Sequence, residues 1–265
     1  MSMAWIKRHL LMFAALVVLG YLLIPNVIVA IFSFNNPRGR YNYEWNEFST
    51  AAWMDPCGNP GICEALGLSL RIGVIASVVA TILGTLIAFA LGRHRFRGRS
   101  GTNLLIFMPM ATPEVVMGSS LLTLFVMAGV PSGAVNITIA HIMFCLSFVV
   151  VAVKARVSSL DPRLEEAAAD LGANPLQTFL RVTLPLAAPG IAAGALLAFS
   201  LSFDDYIITN FNASPSSITF PMYVWGAAQR GTPVEIFVVG TVMFLIALTV
   251  VVIGQILSTR RERKA

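Results

Sequence analysis

The sequence predicts an all-α protein, a polytopic membrane bundle of six transmembrane helices. Three observations carry this reading. Of 265 residues, 57% are hydrophobic and only 12% are charged, with a mean hydropathy of +0.78. Too few polar residues remain to cover a water-facing surface. Six apolar runs, residues 10–34, 66–92, 104–129, 135–153, 191–210 and 234–257, are each long enough to cross a hydrocarbon layer of about 30 Å as a helix. These runs of Leu, Val, Ile, Ala and Gly lack the alternation of a barrel strand, and a helix satisfies its backbone polar groups within the segment.

The first run follows Lys7 and Arg8. Its apolar stretch is too long for a signal peptide and no clear small-residue cleavage site follows, so it is read as a retained span. The loop after it holds Cys57 and Cys63 in "CGNPGIC". An oxidising compartment permits a disulfide there, and two unpaired thiols are the alternative. In the second run Gly73, Ser77, Thr81, Gly84 and Thr85 form a small-residue face that allows close helix approach. The basic run "RHRFRGRSG" is read as a short anchoring loop, not as a nucleic-acid patch.

The third run contains Pro109 and Pro113, which predict a kink, with Glu114 at mid-membrane depth. Met108, Met110 and Met117 are read as bundle packing. In the fourth run His141 and Cys145 are one turn apart. No third ligand is evident, so they read as a packed polar pair and not as a metal site. The fifth run carries Asp204, Asp205 and Tyr206, and the sixth ends at a basic tail.

Lys and Arg placement sets the orientation. With both termini in the cytoplasm, the inner segments hold Lys7, Arg8, Arg93, Arg95, Arg97, Arg99, Lys154, Arg156, Arg163, Arg181, Arg260, Arg261, Arg263 and Lys264, which is fourteen of the eighteen basic residues. Only Arg38, Arg40, Arg71 and Arg230 fall outside or at outer ends. The net charge of +5 is therefore a topology signal.

One cytoplasmic stretch, "DPRLEEAAADLGANPLQTFLRVTLPLAAPG", is out of character with the chain. Asp161 is placed to cap a helix with Pro162 at its first position. Glu165 and Glu166 fall in the early turns, where the helix dipole favours negative charge. Leu164, Ala167, Ala168 and Leu171 share one face, and Gly172 supplies a left-handed stop. Asn174, Pro175 and Gln177 predict a capping box opening a second helix, whose apolar stripe is Leu176, Phe179 and Leu180. Leu184-Pro185 and then Pro189 are expected to end it before the next span. A loop lying on lipid would carry a basic polar face. This one also carries Glu165, Glu166 and Asp170, so a protein partner accounts for it better.

Glu166-Ala167-Ala168, Gly172, nine further residues and Val182-Thr183-Leu184-Pro185 fit the "EAA–G–I-LP" signature of permease subunits of bacterial ATP-binding-cassette importers, with Val182 where isoleucine is usual. The chain resembles that family. The resemblance implies the type I importer permease fold, one permease domain over residues 1–265 with its core at about 66–257, and a coupling-helix loop at 154–190. It further implies that this loop inserts into a groove of a dimeric ATP-binding subunit through Glu165, Glu166, Ala167, Ala168, Asp170, Gly172, Asn174, Pro175, Leu184 and Pro185. The chain has no G-x-x-x-x-G-K-[ST] phosphate loop. It is therefore read as binding no cofactor and as no enzyme, with ATP and Mg used by the partner.

"MPMATPEVVMGSSLLTLFVMAGV", "AHIMFCLSFVVVAV" and "LSFDDYIITNFNASPSSITFPMYVWGAAQRGTPVEI" are similar to the C-type permease of the spermidine/putrescine branch, from Tyr21 to Gly254. That likeness implies a bacterial inner-membrane location, a second related permease, an extracytoplasmic polyamine-binding protein and a small cationic substrate. The outer loop with its cysteines departs from the pattern. The residues point the same way: acids in spans are costly and usually face a wet interior, and Glu114, Asp204 and Asp205 have no Lys or Arg deep in any span to neutralise them. Tyr206 is placed to add a ring contact to an ammonium group. Asp204 and Asp205 would lie about 100° apart on one helix, so one of them is free to cap a break. Another cargo, such as ferric iron or thiamine, or a stand-alone secondary transporter or channel, are the alternative readings.

Overall fold

The structure, a computed structural model, describes residues 3–262, with side chains described for 9–254 and 256. Lys7, Arg8, Arg260 and Arg261 lie outside the described side chains, and Arg263 and Lys264 lie outside the described residues. The helices are α1 (Met3–Phe32), α2 (Ala51–Met54), α3 (Ile62–Arg93), α4 (Arg99–Ala111), α5 (Glu114–Met127), α6 (Ala134–Ser158), α7 (Arg163–Asp170), α8 (Pro175–Thr178), α9 (Leu184–Asp204), α10 (Ile207–Asn212), α11 (Phe220–Arg230) and α12 (Val234–Glu262). A π-helical turn, Phe179–Thr183, joins α8 to α9. Among the described residues, five helices are long and apolar enough to cross a membrane, or six if α4 and α5 form one span. The chain divides into two compact units, Met1–Cys63 with Val224–Ala265, and Glu64–Tyr223.

In the first unit α1 packs along α12. The loop after α1 is built around Asn35, which is buried. Its Nδ2 donates to Asn42 Oδ1 and to the Glu44 carbonyl, each at 2.7 Å, and its Oδ1 accepts the Asn46 N–H at 2.8 Å. Together with an antiparallel bridge between Asn35 and Phe48, this side chain satisfies backbone groups of the turn. Phe34 stacks between Phe48 and Trp53, at centroid distances of 5.7 and 5.1 Å. Cys57 and Cys63 are joined by a disulfide.

In the second unit the core runs between α3, α6 and α9, around Ala80, Ala88, Cys145, Val149, Val153 and Ala198. The small-residue face of α3 makes the contacts close. A Cβ built at Gly84 would lie 2.7 Å from Val149 Cγ1, and one at Gly73 would lie 3.2 Å from Phe199. With no hydrophobic force between helices in lipid, close backbone approach and dispersion supply the attraction.

Two expectations are corrected here. The third run is not a kinked rod: α4 and α5 meet at an angle of 108° across Thr112 and Pro113. Pro113 drives the residue before it out of the helical region, and Thr112 has φ −83° and ψ 130°. The Thr112 hydroxyl donates to the Met108 carbonyl at 2.7 Å and helps finish α4. Glu114 thus opens a helix instead of sitting within one.

Leu184-Pro185 and Pro189 do not stop the helix that begins at Pro175 either, because Pro175–Asp204 runs on as one 30-residue rod through the π turn. Pro185 lies inside this rod, and the π turn that ends at Thr183 shifts the hydrogen-bond register just before it. The fifth span accordingly ends at Asp204 and does not continue to Asn210.

Candidate functional site

The elbow formed by α7 and α8 is specified residue by residue. The Asp161 carboxylate accepts the Arg163 N–H at 3.0 Å and caps α7. Gly172, at φ +84°, ends the helix in the left-handed region. The Ala173 N–H reaches the Ala168 carbonyl and the Gly172 N–H reaches that of Ala169, at 3.0 and 2.9 Å, which is a Schellman motif. Asn174 and Gln177 then form the capping box of α8 at 2.9 and 3.0 Å. Three residues therefore turn the chain with its backbone groups satisfied locally.

This elbow buries little. No residue of α7 is buried. Leu164 is 45% and Leu171 is 90% exposed, with Leu176 and Leu180 also uncovered. Ala167 is exposed on the same face. Glu165 ties the elbow to the spans: its Oε1 lies 3.2 Å from Arg93 Nη2 and accepts the Thr183 hydroxyl at 3.1 Å. Glu166 and Asp170 are exposed.

The acids of the fifth run separate at the end of α9. Asp204 is its last residue and is exposed. Asp205 is extended (φ −63°, ψ 125°) and only 8% exposed. Its Oδ2 accepts the Thr209 N–H at 2.7 Å and the Thr209 hydroxyl at 2.8 Å, and its Oδ1 accepts the Ile208 N–H at 3.3 Å. Asp205 therefore caps α10 from within the chain.

Behind it stands His141, 1% exposed, with Nδ1 2.7 Å from Ser202 Oγ and Nε2 3.0 Å from Thr209 Oγ1 and 3.3 Å from Asp205 Oδ2. The single hydroxyl proton of Thr209 goes to Asp205, so the network assigns a proton to Nε2. This buried constellation locks α6, α9 and α10 together where the rod breaks.

His141 and Cys145 are not a polar pair. Cys145 donates separately to the Ala198 carbonyl at 3.3 Å, one turn of α9 before the Ser202 that meets His141. Among the described residues no group of three or more His, Cys, Asp or Glu is placed to hold a metal.

Glu114 is exposed in the first turn of α5 and, like Asp204, makes no ion pair among the described residues. It lies one turn before Gly118, whose Cα faces Ile208 and Phe211 so closely that a Cβ would meet the Phe211 ring at 2.8 Å. The two free acids are thus carried on packed neighbours, α5 and the α9–α10 break. Tyr206, partly buried, follows the break. Sequence reasoning missed the roles of Ser202, Thr209, Arg93 and Thr183. A polar residue inside an apolar run was the available signal, but it names no partner.

A family model described as binding-protein-dependent transport system inner membrane component matches residues 62–264. The chain is 35% identical over 244 residues to the spermidine/putrescine transport system permease protein PotC of Escherichia coli (strain K12), covering 92% of each chain. It is 38% identical over 251 residues to the putrescine transport system permease protein PotI of the same strain, covering 92% of this chain and 89% of that one. Among solved structures, a bacterial ABC transporter involved in the import of the acidic polysaccharide alginate superposes with a TM-score of 0.67 at 19% identity, over 98% of each chain. An amino acid ABC transporter gives a TM-score of 0.56 at 16% identity, over 75% of this chain and 93% of that one. At these identities the structural likeness concerns architecture alone.

Proposed function

The chain belongs to the binding-protein-dependent transport system inner membrane components, and from that premise we propose that it carries polyamines inward as one of two related permeases in an ATP-driven importer. It is a translocation subunit and not an enzyme, and ATP hydrolysis belongs to a separate subunit. A dimer of that subunit uses ATP and Mg, grips the elbow through Glu166, Ala167, Ala168, Asp170, Gly172 and the Asn174-Pro175 helix start, and drives the spans between two access states. Leu184 and Pro185 carry the push into α9. An extracytoplasmic binding protein delivers the cargo. The chain sits in a bacterial inner membrane with both termini in the cytoplasm, as the Lys and Arg distribution supports.

One observation carries the coupling: α7 is fixed in shape by its caps yet leaves Leu164, Ala167 and Leu171 uncovered. An apolar face on an otherwise polar projection is what a protein groove covers. For cargo, the likeness to PotC and PotI is joined by the exposed, unpaired carboxylates of Asp204 and Glu114, which attract cations and repel anions. Tyr206 supplies a ring face for an ammonium group. Asp205 supports this site by holding the break.

The test is reconstitution of the chain with its ATPase, sibling permease and binding protein in liposomes, measuring spermidine and putrescine uptake. Uptake that requires ATP and the ATPase is the expected result. Uptake without the ATPase refutes the coupling, and a binding protein that takes up a ferric chelate or thiamine but no polyamine refutes the cargo.

A further inference from the structure

We propose that Arg93 and Thr183 are positioning residues for coupling, holding α7 through Glu165 so that its displacement reaches two spans together. The inference rests on the permease reading above and assigns Glu165 an intramolecular role within it. Helix α7 has eight residues, none of them buried. A helix this short is marginal in water, and tertiary packing normally orients it. Here that packing is one-sided, against α8 and the π turn. Beside α7 lies an open cavity of about 500 Å³, lined by Phe89, Arg93, His94, Glu165, Ala169 and Thr178 among others. A close-packed interface transmits a push by repulsion; an empty one does not. Across the cavity, toward α3, a carboxylate oxygen of α7 makes the link.

Glu165 Oε1 meets Arg93 Nη2 at 3.2 Å and the Thr183 hydroxyl at 3.1 Å. Arg93 is the last residue of α3, where a cation also suits the helix C-terminus. Its Nε is buried without a hydrogen-bond partner among the described residues, and the side chain is only 18% exposed, so the guanidinium is largely withdrawn from solvent where it meets Glu165. Thr183 is buried and is the last residue of the π turn at the root of α9. The edge-to-face contact of Phe89 with Phe179, at a centroid distance of 5.1 Å, joins the same two elements beside the tether. Movement of α7 is thus led to α3 through Arg93 and to α9 through Thr183. The caps of α7 set its shape, and Glu165 sets its direction.

The experiment uses the complete reconstituted transporter with Arg93→Ala, Glu165→Ala, the double variant and Arg93→Lys. The readout is polyamine imported per ATP hydrolysed. Each alanine variant is expected to assemble and hydrolyse ATP while the ratio falls about fivefold, or more with Glu165→Ala, which removes both the Arg93 and the Thr183 contact, and the double variant should fall no further than Glu165→Ala, since nothing of the tether is left for it to lose. Arg93→Lys keeps the charge and should recover at least half of the ratio. The proposal is overturned if the single variants leave the ratio unchanged, if uptake and ATP hydrolysis fall in equal proportion, or if the two effects multiply in the double variant. Absence of ATP-dependent polyamine uptake by the wild-type complex would instead strike the permease reading itself.

Discussion

Asp204 and Asp205 carry the same charge at adjacent positions, and the structure predicts opposite consequences for changing them to Asn. At Asp205 one carboxylate accepts two backbone N–H groups and the Thr209 hydroxyl, and lies 3.3 Å from His141 Nε2. Asparagine keeps one acceptor oxygen and turns its NH₂ toward donors. Hydrogen bonds to a charged group contribute about 1.5–3 kcal/mol against ~1 kcal/mol for neutral ones. Side-chain hydrogen bonds inside membranes average nearer ~0.6 kcal/mol. Weakening three bonds and creating one donor conflict therefore sums to about 2 kcal/mol, a factor of about thirty in the folded fraction.

Asp204 is exposed at the helix end, so Asp204→Asn should leave stability within about 0.5 kcal/mol. It should raise KM for spermidine about tenfold if one ammonium contact contributes ~1.4 kcal/mol. Thermal unfolding of the purified complex reads the first quantity, and initial uptake rates in proteoliposomes at graded spermidine read the second. An Asp205→Asn protein as stable as wild type, or an Asp204→Asn protein with unchanged KM, would refute this division of labour.

At Gly84 an added Cβ gains ~1 kcal/mol of helix propensity but lies 2.7 Å from Val149 Cγ1 and 2.9 Å from its Cβ. Overpacking of about 1–3 kcal/mol wins, so Gly84→Ala should lower the unfolding midpoint, and Val149→Ala added to it should cost less than the sum of the two single changes. Gly172 has open space around it but φ +84°. Gly172→Ala should therefore cost about 1 kcal/mol by backbone strain alone, leaving membrane insertion intact while lowering uptake per ATP, with Gly172→Asn milder. Asn174→Ala removes the capping box and should cost ~1 kcal/mol, read by faster proteolysis of the elbow. A membrane-impermeant maleimide added from outside should label Cys57 and Cys63 only after reduction, and Cys145, buried in α6, under neither condition; labelling before reduction would contradict the disulfide.

The spans and the elbow were legible because their signals are local. Apolar length predicts a helix whatever its neighbours do, and Asp161, Gly172, Asn174 and Gln177 act within five residues of themselves. The prolines misled because their effect depends on context. Pro113 with Thr112 bends the chain by 108°, whereas Pro185 rides inside a rod whose π turn has already shifted the bonding register. The roles of the two aspartates were written identically in sequence, and only the end of α9 between them tells them apart. Sequence offered no route to the His141 partners, which lie 61 and 68 residues away, nor to the meeting of Arg93 with Glu165. Such pairings exist only once α3, α6 and α9 have packed.

The turn from α7 to α8 closes its own hydrogen bonds with three residues and borrows no interior from the bundle. Its angle is therefore insensitive to what the spans are made of. On the coupling proposed above, side chains deep in the bilayer are free to drift toward a different solute without bending the handle by which the machine is turned, so the choice of freight and the means of traction can be altered separately.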